Sequence, residues 1–176
     1  MSEYTYDLRV PKERVAVLIG KKGEMKKAIE DATKTIIDID SKEGEVVVTG
    51  EDPLTLFTTR DVIRAIARGF NPEIAQLLLK QDYMLELIDL KEFVKNKSQM
   101  PRIKGRVIGK EGKAREVIEN LTETYICIYG KTVGIIGLGE NVSIAKRAIE
   151  SLIAGSPHSN VYKWLEKKRR DFKAQI

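Results

Sequence analysis

With 176 residues, 42% of them hydrophobic and 32% charged, the chain reads as a folded protein of one ordinary or two small domains, not a disordered one. Its lone cysteine, Cys127, excludes an intrachain disulfide and a zinc cluster built on cysteines, and no apolar run approaches the roughly 18 residues that span a bilayer. The net charge of +5 is unevenly placed: residues 161–176 carry six basic against two acidic side chains, and two further basic spots lie at residues 20–27 and 102–115 of an otherwise near-neutral chain.

In chain order, residues 4–10 alternate as a strand, with Tyr4, Tyr6 and Leu8 on one face and Asp7 and Arg9 on the other. The opening segment has no apolar signal-like core, so a cytoplasmic location is expected. Pro11 suits the first position of a helix, where its missing N–H goes unused; that helix carries Val15, Leu18 and Ile19 up to Gly20. After Gly23 a second helix spaces Met25, Ala28, Ile29 and Ala32 as a buried stripe. Residues 35–40 and 45–49 are strand-like runs joined by the turn Ser-Lys-Glu-Gly. A helix starting near Pro53 buries Val62, Ile63 and Ile66, and a short helix over residues 72–80 follows.

The order then recurs. IGKKGEMKKAIEDATKTIIDID from Ile19 and IGKEGKAREVIENLTETYICIY from Ile108 align without a gap at an offset of 89 residues. Beyond a shorter turn, Glu45-VVVTG matches Thr132-VGIIG, and Arg64-Ala-Ile is aligned with Arg147-Ala-Ile. In the second copy Ala114, Val117, Ile118 and Leu121 form the stripe of one helix, and Val142, Ala145, Ile149 and Leu152 that of the next. Two copies of one α+β fold are expected, residues 1–80 and 81–176. Each runs strand, helix, helix, strand, strand, helix: a three-stranded antiparallel sheet backed by three helices. A basic helix over residues 160–172 ends the second copy.

Two glycines three apart between helices make a tight turn whose crest no side chain blocks, and backbone N–H groups at the start of the next helix attract phosphate. The turns are Gly20-Lys21-Lys22-Gly23 and Gly109-Lys110-Glu111-Gly112. Lysines add a sequence-independent electrostatic grip. Neighbouring cations extend it: Lys26 and Lys27 after the first turn, Lys113 and Arg115 after the second, and Arg102, Lys104 and Arg106 before the second. An apolar floor for unpaired bases is expected from Ile19, Ile37 and Ile39 in one copy and Ile108, Ile126 and Ile128 in the other. One such turn is a weak signal; two, each preceded by isoleucine in the same order of elements, are a strong one.

IGKKG and IGKEG resemble the KH signature, and a strand ahead of the first helix marks the type I arrangement. The second half, IGKEGKAREVIENLTETYICIYGKTVGIIG followed by RAIESLIAGSPHSNVYKWL, is similar to the Pno/Dim family of ribosome-assembly factors in an archaeal-like form. That resemblance implies binding to the 3′ region of small-subunit ribosomal RNA during maturation, with a Nob-type endonuclease as the partner that cuts. It makes the two glycine turns the clamps. Lys26 and Arg115 stand where the usual KH pattern has isoleucine, and the stretch from Leu90 to Gly109 is longer than its counterpart.

Other signals are weaker. Trp164 is expected to pack in the core, His158 to serve a structural turn, and residues 167–170 to touch RNA or protein or simply to solubilise. An enzyme is not expected: GRVIGKE lacks the Ser or Thr that a P-loop needs, and Asp38 and Asp40 become Cys127 and Tyr129 in the other copy. No metal, cofactor, membrane or small-molecule substrate is expected. The rival readings are a KH factor of another RNA pathway, exosome-associated or translational, and a protein-interaction scaffold with inactive loops.

Overall fold

The computed structural model describes residues 2–176. Contacts divide the chain into two units, Met1–Gln81 and Asp82–Ile176. The first runs β1 (Tyr4–Arg9), α1 (Lys12–Ile19), α2 (Glu24–Thr33), β2 (Ile36–Asp40), β3 (Glu45–Gly50), α3 (Pro53–Ala67) and a short α4 (Pro72–Ala75). The second repeats it as β4 (Tyr83–Asp89), α5 (Met100–Ile108), α6 (Lys113–Thr122), β5 (Tyr125–Tyr129), β6 (Thr132–Leu138) and α7 (Gly139–Ile153), then adds α8 (His158–Ala174). Each sheet is antiparallel with its last strand in the centre, β1-β3-β2 and β4-β6-β5. The registers correspond: Val48 lies between Tyr6 and Ile37, and Ile135 between Glu86 and Ile126. The expected α+β architecture is the one formed.

The central strands are rich in β-branched residues because one face of each is buried: Val46 and Val48, like Val133 and Ile135, are inaccessible. Ile29 and Ile63 in the first unit are fully buried as well, and in the second Ile118 and Ile149 share one core with Val133 and Ile135. Each such side chain stabilises its unit by about 1.5–3 kcal/mol. Helix starts are set locally. Asp52 accepts the Leu54 N–H at 3.0 Å and the Thr55 hydroxyl at 2.8 Å, and these bonds hold its carboxyl below the ordinary carboxylate range. Pro157 precedes α8, which therefore begins at His158 and runs to Ala174, longer at both ends than the sequence suggests.

Two details depart from the sequence pattern. Of the α2 stripe, Ile29 is buried but Ala28 and Ala32 are exposed, whereas on α6 Ala114 and Ile118 are buried and Leu121 packs against the core. The difference is α8, which lies along α6. Arg64-Ala-Ile and Arg147-Ala-Ile are not equivalent. The helix bounds and buried residues pair Ile63 with Ile149 and Ile66 with Leu152, so the literal match is one turn out of step.

The registers also pair Tyr6 with Glu86, and the last helices pair Arg60 with Lys146. In the first unit the Arg60 guanidinium lies 5.2 Å from the Tyr6 ring centroid and 3.7 Å from that of Phe57. In the second, Lys146 bonds Glu86 at 2.9 Å, which raises the lysine above its ordinary pKa. One strand-to-helix link is thus made by two chemistries. No helix among the described residues is long and apolar enough to cross a membrane.

Candidate nucleic-acid interface

Each turn joins the end of one helix to the start of the next, α1 to α2 and α5 to α6. Gly20 and Gly109 share φ 76° and ψ 174°; Gly23 and Gly112 are left-handed at φ 77° and 76°. At the first glycine of each turn a Cβ would stand 2.6 Å from the Cβ of Met25 or Ala114 and 2.8 or 2.6 Å from the same residue's backbone nitrogen, so the approach of the helices itself demands glycine. The second glycine faces open space and is required by its backbone angles alone. Between them, Lys22 and Glu111 are also left-handed, both at φ 55°, a conformation that costs an ordinary residue about 1–2 kcal/mol. Lys21, Lys22, Lys110 and Glu111 are all exposed. The two crests are therefore the same backbone shape, displayed at the surface.

Behind each turn the repeat conserves its supports. Glu30 accepts the Ile37 N–H at 2.8 Å and Glu119 the Ile126 N–H at 3.0 Å, tying helix to strand. Lys26 lies 4.0 Å from Glu30, and Arg115 lies 3.4 Å from Glu119 and from the Ile126 carbonyl oxygen. Arg115 thus touches the strand directly, whereas Lys26 meets only the glutamate of its own helix. Lys27 and Lys113 are exposed.

Three sequence-based assignments need correction. Ile37 is fully buried and Ile126 only 3% exposed; both belong to the core and offer no surface to a base. Alternation put them on the inner face, but the inner face of this strand is the core. Arg106 is consumed internally. Its Nε donates to the Leu152 carbonyl at 2.7 Å and its Nη2 to the Ser156 carbonyl at 2.5 Å, closing the end of α7. Ile39 and Ile128 are half-buried, Ile128 against the core.

The second unit does have a trough, formed elsewhere. An open groove of about 820 Å³ runs along α5, with Met100, Val94 and Ile108 as apolar lining and Lys91, Lys95, Lys97, Lys104 and Lys131 around it. Lys104 and Ile108 stand where the sequence led; the other four lysines were missed. Three of them belong to the longer connection before α5, whose added length was the available signal. Arg102 is exposed, and so are Lys110 and Lys113 beyond the end of α5.

Remaining side chains take structural parts. His158 Nε2 bonds the Arg106 carbonyl at 2.9 Å, and Trp164 packs on the core with Arg147 4.8 Å from its ring centroid. Asp40 accepts the N–H groups of Lys42 and Glu43 and so shapes the β2–β3 turn.

A family model described as "Eukaryotic type KH-domain (KH-domain type I)" matches residues 84–170, and one described as "KH domain" matches residues 5–68. A KH domain-containing protein of Methanocaldococcus jannaschii is 48% identical over 170 residues, covering 94% of this chain and 74% of the relative. RNA-binding protein pno-1 of Caenorhabditis elegans is 35% identical over 119 residues, but these make up 65% of this chain and less than half, 43%, of that relative. Dim2p from Pyrococcus horikoshii, 47% identical, superposes with a TM-score of 0.87 over 93% of this chain and 99% of that one. The aDim2p of the same organism, solved in a complex with a/eIF2alpha and rRNA, gives a TM-score of 0.90 at 46% identity over 96% of both chains. Paired glycine turns of one geometry, twin three-stranded sheets and this near full-length likeness place the chain in the Pno/Dim family of KH-domain proteins.

Proposed function

We propose that this chain binds single-stranded RNA, namely the 3′ region of small-subunit ribosomal RNA during ribosome biogenesis, through its glycine turns. The observation that carries the reading is the exposed turn Gly109–Gly112 at the end of a helix whose flank is an apolar groove ringed by five lysines. Bare glycine backbone and the N–H groups opening α6 take phosphates; Lys110 adds charge; Ile108 and Met100 seat bases. Such bases are unpaired, because a duplex hides their faces. Gly20–Gly23, with Lys21, Lys22 and Lys27, is a second clamp of the same shape. Each unit, residues 1–80 and 81–176, acts as one KH domain. The RNA-bound archaeal relative and the relatives named as pre-rRNA-processing proteins support the choice of ribosomal RNA over another RNA pathway. On this reading the chain positions RNA in the cytoplasm and cuts nothing; a Nob-type endonuclease is the partner that cuts.

Titration of short RNAs from the 3′ end of small-subunit rRNA tests the clamps. Lys21→Asp/Lys22→Asp and Lys110→Asp are compared with the unaltered chain at moderate salt. Loss of affinity in one variant identifies the dominant clamp, and equal binding by all three proteins sinks the reading. Magnesium-dependent cleavage of the RNA by the protein alone would overturn the assignment as a non-enzyme.

A further inference from the structure

The second glycine turn has another flank, opposite the lysine-ringed groove, where α5 meets the start of α8. A groove of about 740 Å³ opens there, with Arg102, Lys110 and Lys113 on one side and His158 and Tyr162 on the other. Ala114 lies in its wall. Glu111 also lines it, so three cations stand with one anion; Arg106 lines it too but has its guanidinium on carbonyls.

The first unit provides an internal control. Ala114 corresponds to Met25, two residues past the turn in both copies. Tyr162 corresponds to Gln76: each lies six residues beyond the second carbonyl held by an arginine, Ser156 in one unit and Phe70 in the other. In the first unit these two side chains meet, with Gln76 Nε2 3.4 Å from Met25 Sδ. In the second, a methyl group replaces the thioether chain and leaves the room that the groove occupies. Burial pushes the Tyr162 phenol above its ordinary pKa, so the ring stays uncharged.

We infer that this groove is an added nucleotide subsite, taking the nucleotide next to those held by the Gly109–Gly112 turn, its base on Tyr162 and its phosphate on Arg102 and Lys113. The inference rests on the clamp reading above. The space suits a nucleotide, since small-ligand sites occupy about 300–1,000 Å³. Tyrosine offers a flat apolar face that any base can stack on, and the surrounding cations match a phosphate. Exposed lysines alone would give only diffuse attraction; an aromatic side chain beside them, in space that the sister unit closes, makes a defined place.

The test compares a tetranucleotide, which the clamp alone accommodates, with RNAs one and two nucleotides longer at either end. The proteins are the full chain, Tyr162→Gln, and Ala114→Met/Tyr162→Gln, which copies the first unit's pair without changing charge. The expected result is a gain on extension of about five-fold or more for the unaltered chain, the scale of one base–aromatic stack, and loss of that gain in both variants. In Tyr162→Gln the tetranucleotide affinity and thermal midpoint stay close to the unaltered values. A gain that survives in Tyr162→Gln, or no gain in the unaltered chain, overturns the subsite while leaving the clamp intact. Failure of the unaltered chain to bind the tetranucleotide removes the clamp, and the subsite falls with it.

Discussion

Arg14 and Arg106 stand one helical turn apart in the repeat, yet they perform the same task. Arg14 donates from Nε to the Ile66 carbonyl and from Nη2 to the Phe70 carbonyl, both at 2.8 Å; Arg106 does the same for Leu152 and Ser156. The Ile66 and Leu152 carbonyls lie in the last turns of α3 and α7, where each also accepts a backbone N–H, from Gly69 and Gly155 at 3.1 Å; those of Phe70 and Ser156 lie just past the helix ends. Arg106→Met is therefore expected to destabilise the second unit by about 1.5–3 kcal/mol, the scale of hydrogen bonds made by a charged donor. Because the guanidinium is already engaged, the salt dependence of RNA binding should not move. Lys110→Gln should do the opposite, leaving the denaturation midpoint in place while lowering the slope of log affinity against log salt by about 0.7. Denaturant titration and RNA binding at several salt concentrations separate the two roles; a changed slope in Arg106→Met would restore it as an RNA contact.

The glycines of each turn are expected to differ in cost. Gly112→Ala meets no atom within 4 Å and carries only left-handed strain, about 1–2 kcal/mol. Gly109→Ala adds a collision at 2.6 Å with the backbone nitrogen of Ala114, which cannot turn aside as a side chain could. Its loss should exceed that of Gly112→Ala by about 1–3 kcal/mol, the usual scale of forced overpacking. The same order should hold for Gly20→Ala against Gly23→Ala. Equal unfolding free energies for the paired variants would contradict the geometry.

Much of this was legible in the sequence because the repeat is strict where the backbone is strict. The two glycines, the isoleucine before them and the glutamate that caps the neighbouring strand recur at one offset, and the turns they build match in φ and ψ. What periodicity could not tell was which cations were free. Arg106 looked like a member of a basic cluster, but reach decided its role, since two carbonyls past the end of α5 in sequence, those of Leu152 and Ser156, lay within it. Nor could alternation separate a base-bearing floor from the core: Ile37 and Ile126 face inward, and inward means under the helices. The Arg-Ala-Ile match misled for a related reason, because an identical tripeptide on two helices does not require an identical phase. Lys91, Lys95 and Lys97 join the groove only through the fold of an irregular connection, which carries no period to read.

Glu111 occupies the crest position that Lys22 fills in the first turn, in the same left-handed conformation. Glu111→Lys changes charge without new backbone strain, because lysine already adopts these angles at the sister position. It is expected to tighten RNA binding at low salt and to steepen the salt slope by about 0.7, as one more phosphate contact would. Unchanged affinity at low salt would mean that phosphate does not pass this crest.

At the end of α6 away from the second turn, Thr122 and Thr124 share a buried hydrogen bond of 2.8 Å, and the proton can be assigned. The Thr122 hydroxyl donates to the Ile118 carbonyl at 2.6 Å, and a hydroxyl has one hydrogen, so Thr124 is the donor to Thr122. The two substitutions are therefore unequal. Thr122→Val removes the acceptor and strands a hydroxyl donor at a site 4% exposed, at a cost of about 1–3 kcal/mol. Thr124→Val leaves Thr122 still bonded to Ile118 and should cost less. With both replaced no donor is stranded, so the double variant should be no worse than Thr122→Val alone, and the double-mutant cycle should show coupling of about 0.5–3 kcal/mol. Thr33 and Thr35 repeat the arrangement, with Thr33 donating to Ile29 at 2.7 Å, and the same inequality is expected there. Urea unfolding of the four variants of either pair measures it; additive losses would place the shared proton elsewhere.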